Sequence, residues 1–418
     1  MTGSLFMIIG RSLRRHALST TVTVLSAALA SGLVMAVFSI SLQSSKAFSG
    51  GRVGFDAVLG ARGSKLQLVM NAVYHLDTSP GNIPWSYYER IKADPRVKLA
   101  IPYAVGDNYR GYRIVGTTTE LFTDFEYQAG KRFEIISPGI VFDAGRREAV
   151  LGATAARELG LRLNDDFHPT HGVSGGPNAK DHHEHYKVVG IMKPTNSPSD
   201  RVMWIPIEGT YHMEGHKGRN EHGEEVDAST QHGVPDEFRE MSAVMLKLRS
   251  GQSAISLNYE YAQKHKDTTL AWPIAQEMAG LMRKLGWVNK ILELIAYMVV
   301  VVAAGSLLAS LYNTMNERRR EFAILRALGA RRSTVFGVIV LEASTIAALG
   351  ALVGFAVYYG ILVVAAGIIE SRTGVVLDLA LMHPALYWTP LCMVGVGAFA
   401  GLLPAFKAYS TDVAGNLS

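Results

Sequence analysis

The sequence predicts a membrane protein of four transmembrane α-helices, with a large α+β domain inserted between the first helix and the second. Three observations predict this. Four apolar runs free of charge occur, at 17–45, 294–316, 343–369 and 384–406. Each is longer than the roughly 20 residues a helix needs to cross about 30 Å of hydrocarbon. The stretch between the first two runs alternates short strand-like and helix-like patterns. Finally, 48% of the 418 residues are hydrophobic and only 18% are charged, against about 25% charged in an ordinary soluble domain. This composition excludes a disordered or fibrous chain. Cys392 is the only cysteine, which excludes an intramolecular disulfide framework and a cysteine-based zinc site.

The first apolar run follows Arg11, Arg14 and Arg15, as the apolar core of a cleaved signal would. It continues well beyond the about 7–15 apolar residues of such a signal, so it reads as a retained anchor. Basic residues set the orientation. The first 17 residues carry three arginines and no acid, and the loop at 313–334 carries six arginines against two glutamates. Both termini and this loop are therefore expected in the cytoplasm, with residues 46–287 outside. That outer segment holds 29 basic and 29 acidic residues, so the net charge of +5 lies in the membrane part. The basic balance is a topology signal and gives no support to nucleic-acid binding. Three domains are expected: 1–45, 46–287 and 288–418.

In the outer segment, strands are predicted at 55–61, 97–105, 110–116, 148–152, 186–192, 201–207 and 241–248, from β-branched content and alternation. Helices are predicted at 65–76, 85–93, 153–159 and 253–266. Strict βαβ alternation is lacking, so an α+β fold with two subdomains is expected. The helix starting near Ile274 is expected to run unbroken into the second span.

Gly60-Ala-Arg-Gly-Ser-Lys65 superficially resembles a phosphate loop, but a P-loop needs four residues between its glycines and Lys-Ser/Thr after the second. That pattern is found nowhere in the sequence. Nine of the 13 histidines lie between His168 and His232, in two loops at 168–185 and 212–232 interleaved with acids. Imidazole and carboxylate are the donors that zinc and other borderline metals take. His168, His171, His182, His183, His185, His212 and His216 are the candidate metal ligands. His212 and His216, four apart, are read as sharing one helix face. The competing expectation is a pair of solvated polar loops. No His-Glu-x-x-His motif is present, which argues against a zinc hydrolase.

Glu342 is an acid inside the third span, close to the Arg331–Arg332 pair, and is expected to serve structure. Gly350 with Gly354, and Gly397 with Gly401, have the small-x-x-x-small spacing of close helix packing. The segment between the second and third spans alternates basic and apolar positions, as a short amphipathic helix ended by Gly329 would. Such a helix suits an anionic lipid surface or a groove on a soluble partner.

Met315-Asn-Glu-Arg-Arg-Arg-Glu-Phe-Ala-Ile-Leu-Arg-Ala-Leu-Gly-Ala330, followed by Glu342 and a glycine-rich span, resembles the FtsX-like permease domain of MacB/LolC-type (type VII) ABC transporters. Glu148–Gly152, Leu159–Leu161 and Tyr186–Met192 resemble the MacB-like periplasmic core. The resemblance implies an inner-membrane permease with a two-lobed periplasmic domain, working as a homodimer with two cytoplasmic ATPase subunits that hold ATP and magnesium. It implies a coupling helix at 317–329, with Glu317, Arg318, Arg319, Glu321, Phe322, Ile324, Leu325, Leu328 and Gly329 at the ATPase contact. It also implies mechanotransmission, in which ATPase closure moves the periplasmic domains for export or extraction of a substrate. A fused ATPase is lacking, so the ATPase is expected on a separate chain and this chain is not itself an enzyme. Further expected partners are membrane lipid and a periplasmic or outer-membrane protein. Two other functions compete: a transmembrane regulator of a periplasmic partner, and a zinc-binding handover module.

Overall fold

The structure is a computed structural model. It describes residues 10–49, 54–172, 182–213, 216–220, 224–227, 234–265, 267–318, 320–321, 324, 326, 329–373, 377 and 383–410. The chain divides into two compact units. A helical unit comprises Met1–Ser44, Leu285–Gly367 and Leu377–Ser418, and an α/β unit comprises Ser45–Lys284 and Ile368–Val376.

In chain order the elements are α1 (Ala17–Ser49), β1 (Ala57–Ala61), α2 (Lys65–Ala72), β2 (Ile83–Pro84), α3 (Trp85–Lys92), β3 (Val97–Tyr109), β4 (Tyr112–Thr117) and α4 (Glu120–Thr123). There follow β5 (Glu148–Leu151), α5 (Ala153–Leu159), β6 (Asp166–Phe167), β7 (Thr170–His171), β8 (Tyr186–Ile191), β9 (Met203–Pro206) and α6 (Ile207–Tyr211). The remainder are β10 (Lys217–Arg219), β11 (Glu225–Asp227), β12 (Glu240–Met241), β13 (Ala243–Leu248), α7 (Gly251–Asn258), β14 (Thr268–Ala271), α8 (Ile274–Glu317), α9 (Arg332–Thr373) and α10 (Ala385–Ser410).

The α/β unit is built on a ten-stranded mixed sheet in the order β14-β1-β13-β3-β4-β9-β5-β8-β6, with β7 paired to β3. The sequence reading separates two subdomains, whereas one sheet runs through the unit. The 13-residue β3 makes this continuity possible. Its first half pairs with β13, through Ala243↔Tyr103 to Leu248↔Val97, and its second half pairs with β4. Arg110 and Gly111, both at positive φ, form the hairpin turn between β3 and β4. The central strands are buried on both faces, and alternate residues fall into different clusters, so each face of the sheet has its own core. Val58, Val115, Val150 and Trp204 pack into one cluster; Ile114, Ala149, Leu151 and Met203 pack into another. A third cluster forms where α3 and α7 cover Leu59, Val244 and Leu246. The candidate phosphate loop is a strand-to-helix turn: Gly60 lies in β1, and Ser64 caps α2 by accepting from Gln67 N.

Four helices of the helical unit are long and apolar enough to cross a membrane: Ala17–Ser44, Gly286–Glu317, Arg332–Ser371 and Ala385–Lys407. The helix α8 is continuous over 44 residues. Small residues set the spacing. A methyl added at Gly397 would lie 2.5 Å from Ala347 Cβ and 3.0 Å from Ala343 O, so α10 closes on α9 there. A methyl at Gly401 would lie 2.8 Å from Ala343 Cβ. Gly350 abuts Ala27 and Gly354 abuts Ser31, which brings α9 onto α1. Without a hydrophobic drive between helices in lipid, such close backbone approach is what dispersion needs. Pro390 and Pro404 both lie inside α10, which membrane helices tolerate better than soluble ones do.

Candidate functional site

In the α/β unit, four chain segments bring polar side chains to one point beside the second half of β3. A β-bulge falls there: Val105 pairs with Val115 and Asp107 with Ile114, leaving Gly106 as the extra residue. A bulge re-aims the side chain that follows it, and Asp107 consequently lies on the Ile114 face of the sheet. The strand β7 pairs with β3 through Asp107↔His171, held by Gly172 N donating to Gly106 O (2.9 Å) and by Asn108 Nδ2 donating to Gly172 O (2.7 Å). His182 is fixed through its backbone N donating to Pro169 O (2.8 Å). His216 follows α6, with its N donating to Met213 O (3.3 Å).

These four residues converge. His182 Nε2 lies 3.1 Å from Asp107 Oδ1, His216 Nε2 lies 3.2 Å and His171 Nδ1 lies 3.4 Å. The three imidazole centroids are 5.2–5.5 Å apart. All four donor atoms lie within 4.8 Å of one another. A tetrahedral zinc ion with bonds of about 2.0–2.1 Å places its donors about 3.3–3.4 Å apart, and the Asp107 distances of 3.1–3.4 Å lie near that spacing. Three ring nitrogens meet this one carboxylate oxygen, an arrangement that hydrogen bonds hold and that a shared cation would also suit. Burial works against ionisation of Asp107, yet the hydrogen bonds from His171, His182 and His216 outweigh it and hold the carboxyl well below the usual carboxylate range. The ionised oxygen and the imidazoles together form a three-nitrogen, one-oxygen donor set for a borderline divalent cation.

The cluster borders a cavity of about 440 Å³, whose lining includes Asp107, His171, His216, Lys217, Glu240 and Ser242. Ser242 Oγ donates to Asn82 Oδ1 (3.0 Å). Burial raises the Glu240 carboxyl, offset in part by Arg219 and by a hydrogen bond from Asn82.

Among the seven histidines singled out from the sequence, the structure brings together His171, His182 and His216. His168 and His185 face each other with ring centroids 5.9 Å apart, away from the cluster. His183 and His212 are exposed. His212 and His216 do not share a helix face: α6 ends at Tyr211, and His212 is its C-cap. Asp107 is the member of the cluster that sequence reasoning missed. Its one signal is an Asp-Asn pair interrupting an otherwise apolar strand.

A second polar cluster lies in the helical unit. Arg318 Nη1 donates to Ser12 Oγ (2.7 Å) and Glu342 Oε2 (3.2 Å), and Ser12 Oγ donates to Glu342 Oε1. All three residues are buried. Arg318 Nε also donates to Glu321 Oε2 (3.1 Å), and Arg15 Nη1 donates to Oε1 of the same carboxylate (2.6 Å). His16 Nδ1 lies 3.3 Å from Glu317 Oε2. In the segment 317–329, Glu321 and Ile324 are helical and Gly329 adopts φ +96°, the left-handed conformation of a helix stop. Arg319, Phe322, Leu325 and Leu328 lie outside the described residues.

Comparison with known proteins gives two family matches. Residues 20–259 match the MacB-like periplasmic core domain, and residues 293–413 match the FtsX-like permease C-terminal domain. The chain belongs to the FtsX-like, MacB-type permease family. The macrolide export ATP-binding/permease protein MacB of Shewanella oneidensis is 23% identical over 232 residues, covering 54% of this chain and 32% of that protein. Its counterpart in Shewanella sp. strain W3-18-1 is 21% identical over 239 residues, with the same coverage of 54% and 32%. The chain thus spans about a third of the length of these curated relatives. Among solved structures, the extracellular domain of the noncanonic ABC-type transporter YknZ from Gram-positive bacteria aligns at TM-score 0.30 and 14% identity, covering 51% of this chain and 99% of that one. The periplasmic region of MacB from Actinobacillus actinomycetemcomitans aligns at TM-score 0.33 and 10% identity, covering 56% and 94%.

Proposed function

We propose that this chain is the permease subunit of an ABC transporter in a bacterial inner membrane. A cytoplasmic ATPase binds and hydrolyses ATP with magnesium, and this permease carries the resulting movement to its periplasmic domain, where a substrate is exported or extracted. The observation that carries this is the FtsX-like match over 293–413, which contains the basic and apolar segment between the second and third spans. In this proposal residues 1–45 form the cytoplasmic N-terminus and first span, 46–287 the periplasmic domain and 288–418 the permease domain. Both termini face the cytoplasm, two copies form the dimer, and residues 317–329 dock on the ATPase. The buried Arg318–Glu342–Ser12 contacts support it, since they give that docking helix a fixed base on α9 and on residues preceding α1. Purification of the full chain is expected to recover a P-loop ATPase whose turnover the permease stimulates. Phe322→Asp or Leu325→Asp is expected to abolish the stimulation while the chain still folds. Unchanged stimulation in both variants would remove the coupling-helix assignment.

The Asp107 cluster favours a second, compatible function: the periplasmic domain binds a zinc-class divalent cation and serves in its handover. Calorimetry of the full chain with zinc is expected to give one site per chain, and a flat titration would refute it.

A further inference from the structure

We infer that the Asp107–His171–His182–His216 cluster is an exchange site, at which a zinc-class cation passes between the protein and a small aminocarboxylate ligand seated in the adjoining cavity. This rests on the metal-binding function proposed above and adds the ligand and the route.

The first ground is the asymmetry of the donor set. The side chains of Asp107 and His182 are 2% and 5% exposed, that of His216 is 17% exposed and that of His171 is 56% exposed. A structural zinc site seals all four donors. Here two are sealed and one stands at the surface. The second ground is volume. Asp107, His171 and His216 border a cavity of about 440 Å³. A water completing the metal's coordination takes about 30 Å³, so the space is far larger than the ion and one water require. It lies within the roughly 300–1,000 Å³ of cavities that hold organic ligands. The third ground is the chemistry of the cavity wall. Glu240 and the Asn82–Ser242 pair offer acceptors for an ammonium group, and Lys217 next to His216 offers a cation for a carboxylate. A ligand with both groups can place one carboxylate on the metal and its amine toward Glu240.

With a cation bound, the exchange would be an associative ligand substitution. A carboxylate oxygen of the incoming ligand would replace His171 Nδ1, and its amine and remaining carboxylates, with water, would then replace His216, His182 and Asp107 in turn. Each bond formed to the cation matches one broken, the freed imidazoles are hydrated, the cation stays divalent, and no electron changes hands. Asp107 and His182 close one side of the site, and His171 and His216 give on to the cavity.

Zinc release from the loaded full chain in lipid nanodiscs tests this, with nitrilotriacetate as the aminocarboxylate probe and a fluorescent indicator as readout. The release rate is expected to rise in proportion to nitrilotriacetate concentration. Ala104→Leu, which adds bulk to the cavity wall, is expected to lower that slope at least tenfold with one zinc still bound per chain. Lys217→Glu, which places an anion where the probe's carboxylates pass, is expected to lower it similarly without occupying the cavity. A release rate independent of nitrilotriacetate overturns the exchange inference and leaves a closed metal site. A concentration-dependent rate that neither variant alters overturns the cavity as the route. Failure of the wild-type chain to bind zinc overturns the metal-binding function itself.

Discussion

Asp107 in the α/β unit and Glu342 in the helical unit are both buried carboxylates, and they are met by different partners. Glu342 receives the guanidinium of Arg318 and the hydroxyl of Ser12. Asp107 receives three imidazoles. A guanidinium is always charged and supplies Glu342 with a positive partner unaided. An imidazole carries a full charge only when protonated, so the rings around Asp107 could instead share a cation with it. The difference teaches how a finished structural pair is told from a binding site: by the partner's ability to neutralise the carboxylate unaided.

The largest effect should come from breaking the finished pair. Arg318→Met leaves Glu342 buried and unpaired, which is expected to lower stability by about 3–5 kcal/mol in chemical denaturation, whereas Arg318→Met with Glu342→Leu should recover most of the loss. If the double variant is no better than the single, the pair is not the unit described. Next, Asp107→Asn removes the anionic donor and is expected to weaken zinc at least a hundredfold, about 2.7 kcal/mol, with little change in the melting point of the metal-free chain. A large fall in that melting point would make the cluster a stability element like the first.

A third test uses an imidazole that the cluster does not recruit. His75 is half-buried on the opposite core face, beside Tyr103 and Trp204, where desolvation of its ring first, then Arg113 and Arg201, push its pKa down to about 3. Because the folded value lies below the unfolded value of about 6.5, stability is full above pH 6.5 and is lost as pH falls toward 3, by about 2 kcal/mol at pH 5. His75→Asn, which tolerates the positive φ of this position, should flatten that part of the stability profile. A profile unchanged by the substitution would show that other groups govern it. The smallest effect concerns helix contact: Gly397→Ala pushes a methyl against Ala347 and is expected to cost about 1 kcal/mol, at the low end of overpacking. No measurable loss would mean that α9 and α10 readjust there.

The legibility of the two clusters in the sequence follows the range of their signals. A membrane span is a local property, and apolar runs of more than 20 residues announced all four helices. The helix α5 was readable to the residue, because Leu159-Gly160 is a local stop and Gly160 takes φ +68°. Nine histidines in 65 residues flagged the neighbourhood of the Asp107 cluster. Which three converge depends on β7 registering with β3 and on the path after α6, neither of which leaves a local trace. Asp107 lies 64 residues before His171, on a strand whose remaining pattern reads as core. The ten-stranded sheet was hidden for a similar reason: β14 and the two-residue strands β6 and β7 are too short to show a period. The pairing of Arg318 with Glu342 likewise joins a loop to a span.

The bulge at Gly106 carries a consequence for the two faces of β3. If Gly106 were instead taken into the ladder opposite Ile114, pairing would be continuous and Asp107 would stand opposite Arg113, on the other face of the sheet. The carboxylate would leave the imidazoles and meet a guanidinium, becoming the kind of pair that Glu342 makes. One looped-out residue therefore decides which face of β3 the carboxylate serves, with no change in the side chains that build the sheet.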